Sequence, residues 1–210
     1  MTDHKDVIRG HYIPRINRYT SNHEILDWES GKAQESRFDV FLDNVELSGK
    51  RLLDVGCGLG DLLGYCKAKG IECDYTGIDL LGEMVELAQA AYCDGHFLHG
   101  DMFKQDIFPA DSFDVVFTSG IFNLNIGNNE EFLQSAIQRL WKVSRDVVVF
   151  NMLHTKSRDK DNTYYYHDPG EISAYLQDFG CNVVIVEDYL GNDFTVICNV
   201  PPQHSGNGCR

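Results

Sequence analysis

Short apolar runs typical of strands alternate with stretches of helical periodicity from residue 51 onwards, and this alternation constrains the fold more than any other feature. The runs include RLLDV at 51–55 and FDVVFTSG at 113–120, and the first is followed by an apolar helical stripe of Leu59, Leu62, Leu63 and Cys66. Strands joined through helices pair in parallel and place helices on both faces of the sheet. The alternation predicts a doubly wound α/β fold.

The end of the chain departs from this alternation. A helix is expected to begin at Asp168, which is a good N-cap before Pro169 and Glu171, and to stop near Gly180. The last two strand-like runs, within 181–200, are separated only by the turn LGND. Such a turn is too short for a crossover, so these two strands must be antiparallel. The sequence therefore predicts a mostly parallel, seven-stranded sheet with one antiparallel strand.

The N-terminal quarter is less regular. Residues up to about 22 show weak periodicity and are interpreted as an arm or loop, whereas 21–45 is predicted to be helical because apolar residues recur at Phe38, Phe41, Leu42 and Val45. The expected organisation is a single domain over 1–210, in which 1–47 forms an N-terminal arm or helical cap. The segment 201–210 is expected to be a flexible tail.

Composition restricts the kinds of partner that the protein can bind and the cell compartment in which it is expected. A formal net charge of −14 and the lack of any membrane-length apolar segment argue against nucleic-acid and membrane partners, and favour a small-molecule substrate. The seven cysteines form no CxxC pair and no zinc-like cluster with histidine. They are interpreted as small core residues in a reducing cytoplasm, with no structural metal. The oligomeric state is not decided by the sequence.

Polar residues and glycines follow one predicted strand after another at the carboxyl end. They comprise Gly56, Gly58 and Gly60, then Asp79, then Asp101, then Ser119, Gly120 and Asn123, and finally Asn151 and His154. Open α/β sheets bind their ligands beyond the carboxyl ends of the strands. The pattern therefore predicts a ligand site at this edge of the sheet.

Each of these residues has a chemical role open to it. Glycines let the backbone approach a ligand, and Asp79 at the end of the second strand could accept hydrogen bonds from both hydroxyls of a ribose. Asp101 could accept from an exocyclic amine, with Leu80 and Met84 covering a flat base. Simple structural roles stay open, because Asp79 is also placed as a helix cap and Asp101 as a turn residue. A purely structural role is harder to assign to Asp54, because burying an unpaired carboxylate costs free energy.

A dinucleotide-binding oxidoreductase is the nearest alternative. Its G-x-G-x-x-G fingerprint requires a third glycine that here comes one position early, at Gly60, so that Asp61 stands in its place. Asp61 would put negative charge at the helix N-terminus where a pyrophosphate must bind. This disfavours NAD and favours a cofactor that has no phosphate and carries positive charge near the turn.

These motifs together resemble a known family. DVGCGLGD, Asp79, HGDMF and FDVVFTSG are similar to the class I S-adenosylmethionine-dependent methyltransferases, over about 51–153 and, with the terminal strand pair, to about 200. SGIFN, FNML and DYLGNDFTV resemble a prokaryotic small-molecule group within it. The resemblance implies a Rossmann-like methyltransferase fold with S-adenosyl-L-methionine as cofactor.

The resemblance also implies roles for individual residues. Asp54 would hold the ammonium of the cofactor, Asp79 its ribose hydroxyls and Asp101 its adenine amine. Arg37 would reach the methionine carboxylate, and Trp28 would close over the cofactor. The full set expected to bind the cofactor is Arg37, Asp54, Gly56, Cys57, Gly58, Asp79, Leu80, Met84, Asp101, Met102, Ser119 and Gly120.

The implied reaction is an in-line attack by an acceptor atom on the sulfonium methyl, for which the protein mainly aligns the reactants. His154, Tyr166 and Asn123 are the candidate catalytic residues, and Tyr164 to Tyr166 could line the acceptor site. The short segment MFKQDIFPADS at 102–112 predicts that the helix between strands three and four is lost or reduced. A non-catalytic binding protein and a protein or RNA methylator stay open as alternatives.

Overall fold

The computed structural model describes residues 4–200, and seven strands and seven helices occur within that range. The strands are β1 (Arg51–Val55), β2 (Asp74–Asp79), β3 (His96–His99), β4 (Phe113–Ser119), β5 (Ser144–Leu153), β6 (Asn182–Val186) and β7 (Asp193–Asn199). The helices are α1 (His4–Ile16), α2 (Asn22–Ile25), α3 (Gly31–Asn44), α4 (Asp61–Ala68), α5 (Gly82–Ala91), α6 (Asn129–Val143) and α7 (Pro169–Asp178).

The strands form one sheet in the order β3-β2-β1-β4-β5-β7-β6. The pairs from β3 through β5 are all parallel, whereas β7 pairs antiparallel with both β5 and β6. The short connection between β6 and β7 forces this reversal, and the long segment that contains α7 lets β6 reach the sheet edge beyond β7. The predicted mostly parallel sheet with one antiparallel strand is confirmed.

Helices cover both faces of the sheet. On one face α6 and α7 bury Leu140 and Leu176 in a cluster that includes Phe150 of β5. On the other face α3, α4 and α5 contribute a second cluster, with Phe41 stacked on Phe117 at 4.3 Å between ring centroids. Central strands buried on both faces explain the continuous apolar runs of the sequence. Between β3 and β4 the described backbone forms turns and no helix, as the length of that segment predicts.

The prediction of an arm or loop before residue 22 is wrong, because α1 is a helix of 13 residues. Its apolar face is spaced by four residues, at Ile8, Tyr12 and Ile16, and packs on a cluster that contains Leu81 and Met84. None of its residues is fully buried and Pro14 lies inside it, so the apolar signal is weak.

The single helix expected over 21–45 is divided into α2 and α3. The break contains Asp27, whose backbone has a positive φ of 61°, a conformation that a helix does not allow. Helix α3 then begins at Gly31 and is capped by Ser30, whose Oγ accepts a hydrogen bond from Ala33 N at 3.1 Å. By contrast, α7 is capped as predicted, since Asp168 accepts from Gly170 N and Glu171 N.

Two cysteines differ from the expectation of unpaired thiols. Cys181 and Cys198 form a disulfide between the residue before β6 and the neighbouring strand β7. Both sulfurs are buried in the apolar cluster on the α6 and α7 face, which is why their surroundings resemble those of core thiols. Among residues 4–200, no helix combines the length and the apolar character needed to cross a bilayer. The predicted tail at 201–210 lies outside the described residues.

Candidate active site

A cavity lies across the carboxyl ends of β1, β2 and β4 and the loop after β3. Its volume is about 1170 Å³ when the open solvent at its mouth is included. All the residues predicted to bind the cofactor line this cavity except Arg37: Asp54, Gly56, Cys57, Gly58, Asp79, Leu80, Met84, Asp101, Met102, Ser119 and Gly120. The order β3-β2-β1-β4 separates Asp101 from Gly120 by three strand spacings, or roughly 14 Å. The cavity therefore suits an elongated ligand.

The glycine turn after β1 depends on conformations that favour glycine. Gly56 and Gly58 have φ of 71° and 53°. A Cβ at Gly56 would lie 2.5 Å from the side chain of Ile121, and one at Gly58 would lie 2.8 Å from that of Leu26. The backbone thus favours glycine at both positions, and at Gly56 the branched side chain of Ile121 also leaves no room for a Cβ.

Asp79, at the end of β2, connects the glycine turn to α5. Its Oδ2 accepts from Gly58 N at 2.9 Å and its Oδ1 accepts from Leu81 N at 2.8 Å. Burial raises the pKa of this carboxyl, and the two backbone donors partly oppose that effect. Each oxygen has further lone-pair capacity, so the turn-forming role and a role in binding ribose hydroxyls are compatible.

Asp101 has a similar double position at the end of the cavity near β3. Its Oδ1 accepts from Phe103 N at 3.0 Å and from Lys104 N at 3.2 Å, which closes a turn. Its Oδ2 lies 3.5 Å from Nε2 of His4, the first residue of α1. The carboxylate therefore lines the cavity and meets the N-terminal helix.

Asp54 is the most deeply buried carboxylate of the glycine motif, at 4% exposure. Tyr75 Oη donates to its Oδ2 at 2.7 Å. Burial raises the pKa of Asp54 to about 7; the hydrogen bond from Tyr75 opposes this, while the charges of Asp79 and Asp61 add to it. A cationic group in the cavity would offset the cost of ionising Asp54.

The N-terminal segment forms the outer wall of the cavity. His4, Ile8 and Tyr12 line it from α1, and Leu26 and Trp28 line it from the chain between α2 and α3. Apart from Trp28, these contributions are not apparent from the sequence. The spacing of Ile8, Tyr12 and Ile16 was the signal that could have indicated a packed helix there.

Charged and polar contacts fix this wall to the rest of the fold. Asp27 Oδ2 accepts from His11 Nε2 at 2.8 Å and from Tyr164 Oη, and Asp27 Oδ1 pairs with Arg15. Arg9 forms a bidentate pair with Glu83 of α5, at 2.8 and 3.2 Å.

Asp61, in the first turn of α4, adds a further link to the N-terminal wall. It accepts hydrogen bonds from Gln34 Nε2 at 2.9 Å and from Asn22 Nδ2. The carboxylate that argued against a pyrophosphate therefore also joins α4 to α2 and α3.

Comparison with known proteins agrees with this geometry. Residues 52–147 match the family model described as a methyltransferase domain. A Mycobacterium tuberculosis protein named as a methyltransferase is 27% identical over 154 residues, covering 69% of this chain and 89% of that protein. The chain is 28% identical over 160 residues to phosphoethanolamine N-methyltransferase 3 of Arabidopsis thaliana, covering 70% of this chain and 32% of the plant protein.

Among solved structures, magnesium protoporphyrin IX methyltransferase from Synechocystis PCC 6803 with bound SAH superposes with a TM-score of 0.70 at 16% identity, covering 94% of this chain and all of that chain. Residues 52–147 form a methyltransferase domain, and the chain has the fold of S-adenosylmethionine-dependent methyltransferases. The dinucleotide-binding alternative is thereby set aside.

The carboxylate acceptors that line the cavity of the methyltransferase fit S-adenosylmethionine. Asp101, Asp79 and Asp54 follow one another along the sheet edge, so an adenine amine, a ribose and an ammonium could each meet one carboxylate. The elevated pKa of Asp54 identifies a site where a bound cation would be stabilising.

Arg37 does not line the cavity of the methyltransferase, contrary to the expectation that it reaches the cofactor. It is 3% exposed and ion-paired with Asp193 at 2.6 Å, and its Nη1 donates to Ala33 O at 2.7 Å. Its guanidinium lies 4.3 Å from the ring centroid of Trp28. Arg37 therefore positions Trp28, which does line the cavity.

The candidate catalytic side chains also lie elsewhere. His154 is outside the cavity lining, because its Nε2 is bonded to Glu187 at 3.0 Å and its Nδ1 accepts from Lys156 N. Tyr166 is likewise outside it and accepts from Asp161 N at 2.9 Å. Asn123 does not line the cavity either, but its amide lies next to Gly120. None of the three candidates therefore lines the cavity, and of the three only Asn123 lies next to a lining residue, Gly120.

Proposed function

We propose that the methyltransferase transfers its methyl group to a small-molecule acceptor bound beside Gly120, at the end of the cavity away from Asp101. The observation that carries this proposal is the N-terminal wall, which closes over the carboxyl ends of β1 and β2. A site covered on this side suits a cofactor with a compact acceptor better than it suits a folded macromolecule. The similarity to an enzyme named for phosphoethanolamine supports the same class of acceptor.

In this proposal the cofactor is held by the residues whose side chains or backbone line the cavity. Asp101 and Met102 would contact the adenine, Asp79 the ribose, and Asp54 with Gly56 and Gly58 the methionine end. The chain's carboxylates are already oriented by backbone or tyrosine donors, so little reorganisation is needed on binding.

When bound, S-adenosylmethionine supplies a methyl group that is already activated on a sulfonium. The protein's tasks are therefore to bind the acceptor, to align its attacking atom and to exclude water. Apolar side chains around the glycine turn, including Leu26 and Ile121, keep water away from this end of the cavity. Because His154 lies outside the cavity, this proposal assigns it no role as a base.

The test is transfer of label from methyl-labelled S-adenosylmethionine into a cell extract separated by size. The proposal expects label in the small-molecule fraction that depends on the enzyme and is lost in the variant Asp79→Ala. Label confined to protein or RNA would contradict it and would favour the macromolecular alternative. Nucleic acid is not part of the proposal, in keeping with a net charge of −14.

A cytoplasmic location belongs to the same proposal. It is supported by the free thiols of Cys57, Cys66, Cys73 and Cys93 among the described residues. The disulfide between Cys181 and Cys198 is instead typical of an oxidising compartment. Cell fractionation with thiol trapping is therefore the measurement that decides the location.

A further inference from the structure

The carboxylate of the cofactor lacks the partner expected for it, because Arg37 is ion-paired with Asp193 in the interior and does not line the cavity. Within residues 4–200, no lysine or arginine lines the cavity. Four aspartates do line it: Asp54, Asp61, Asp79 and Asp101. S-adenosylmethionine carries a carboxylate besides its sulfonium and its ammonium, and placing that anion near like charges costs free energy unless a donor meets it. The cavity must therefore supply a neutral donor.

The phenol of Tyr12 in α1 is such a donor, and it lines the cavity. Its hydroxyl makes no hydrogen bond to any residue in the described range 4–200, and it is not one of the fully buried polar atoms without a partner. The hydroxyl is therefore accessible. Burial nevertheless raises the pKa of Tyr12, and the charges of Asp27 and Asp79 raise it further, so the phenol stays protonated and able to donate. A hydroxyl that is accessible and yet surrounded by protein faces the cavity.

Tyr12 lies where the glycine turn meets the end of β2. Its ring packs against a cluster of buried apolar residues that includes Leu59 and Leu81. Leu59 belongs to the glycine turn, and Leu81 N donates to Asp79 Oδ1 at 2.8 Å. Asp79 Oδ2 also accepts from Gly58 N at 2.9 Å, so the groups proposed to hold the ribose and the methionine end are joined at this point. Tyr12 is therefore placed beside the methionine end of the cofactor.

Other neutral side chains of the lining are less suited to this task. Gln34 Nε2 already donates at 2.9 Å to a carboxylate of α4, and Ser119 Oγ is fully buried. The indole of Trp28 lies against Gly120, on the β4 side of the glycine turn, where its Cη2 atom is 2.9 Å from the position of a Cβ. Tyr12 combines an unpaired donor with a position on the β2 side of that turn.

We infer that Tyr12 donates a hydrogen bond to the methionine carboxylate of S-adenosylmethionine, the role that the sequence leads one to expect of Arg37. The inference rests on the proposed placement of the methionine end at the glycine turn and adds the group that recognises its anion. A phenol donates without adding a charge, so the aspartates of the cavity keep their attraction for the sulfonium and the ammonium. Helix α1 is then part of the binding site as well as its cover.

Calorimetric titration of the ligand-free protein near pH 7 with two probes provides the test. The probes are S-adenosylhomocysteine and its decarboxylated analogue S-adenosyl-3-thiopropylamine, which keeps the adenine, the ribose and the ammonium and lacks only the carboxylate. The variant Tyr12→Phe keeps the ring and removes the hydroxyl. It should weaken S-adenosylhomocysteine binding about tenfold or more, the effect of one hydrogen bond to a charged group, and should leave binding of the analogue within about twofold.

Tyr19→Phe is the matched control, because Tyr19 packs on the same apolar cluster and does not line the cavity. It should leave the affinity for both probes unchanged. Equal weakening of both probes by Tyr12→Phe would overturn the inference, since the hydroxyl would then serve the ribose or the packing of α1. Unchanged binding of S-adenosylhomocysteine by Tyr12→Phe would overturn it as well.

The role of Tyr12 and the proposed transfer to a small molecule fail in different ways. Loss of the selective effect on S-adenosylhomocysteine would refute the role of Tyr12 and leave small-molecule transfer intact. Label from S-adenosylmethionine confined to protein or RNA would refute the proposed transfer and leave the role of Tyr12 intact. No binding of either probe by the wild type would refute the proposed placement of the cofactor and the role of Tyr12 with it.

Discussion

Replacing Asp54 by asparagine gives the most direct test of the cavity's electrostatics. The substitution keeps the shape of the side chain and an oxygen that can accept from Tyr75 Oη, and it removes the ionisable group. Asp54 has a pKa of about 7 in the ligand-free fold against an ordinary value of 3.8. Between about pH 4 and pH 7 the folded state therefore holds a proton that the unfolded chain has already released.

The sign of the effect follows from this difference. As the pH rises from about 4 to about 7, ionisation of Asp54 favours the unfolded chain, and above about 7 the loss of stability levels off. Three pH units at about 1.4 kcal/mol each correspond to a loss of about 4 kcal/mol. The variant Asp54→Asn should escape this loss, so that it matches the wild type near pH 4 and exceeds it in free energy of unfolding near pH 8.

Urea denaturation of both ligand-free proteins across pH 4 to 8 measures this difference. Asp114→Asn is the matched control of opposite sign, because hydrogen bonding to Arg51 lowers the pKa of Asp114 to about 2. That control should be less stable than the wild type by a nearly constant amount across pH 4 to 8, and should approach it only as the pH falls from about 4 towards 2. A stability difference for Asp54→Asn that stays constant with pH would refute the reasoning.

Other residues of the cavity and its wall give further predictions. Asp79→Asn should weaken S-adenosylhomocysteine binding about tenfold or more in calorimetric titration, since the proposed charged hydrogen bonds to the ribose hydroxyls would be lost; an unchanged Kd would show that Asp79 acts only in the turn. His154→Ala should leave kcat within about twofold in a methyl-transfer assay, because the ring is bonded to Glu187 outside the cavity; a tenfold loss would restore it as a base. Asp27→Asn should speed amide hydrogen exchange in α1, because its contacts with His11, Arg15 and Tyr164 weaken; equal exchange rates would show that these contacts do not hold the helix.

The sheet and the residues along its edge were predictable because their signals are local. Apolar runs reveal strands buried on both faces, and Gly56, Asp79 and Asp101 stand directly at strand ends where ligands bind. The roles of Arg37 and His154 depend on partners distant in sequence, at Asp193 and Glu187. No periodicity of the chain contains that information.

Helix α1 was missed for a different reason. None of its residues is fully buried, and it is held mainly by packing on Leu81 and Met84, to which the exposed pair of Arg9 with Glu83 adds little. A helix held mainly by tertiary contacts has little intrinsic signal. The outer wall of the cavity could therefore be identified only from the folded structure and not from the sequence.

The buried pair of Arg37 and Asp193 has a consequence for engineering the enzyme. Helix α3 and strand β7 are joined by two charges that are 3% and 0% exposed, and either one alone would be left uncompensated in the interior. The N-terminal quarter is therefore not an exchangeable module. A chimera that takes this segment from another methyltransferase should fold well only when position 193 is changed to suit the new partner.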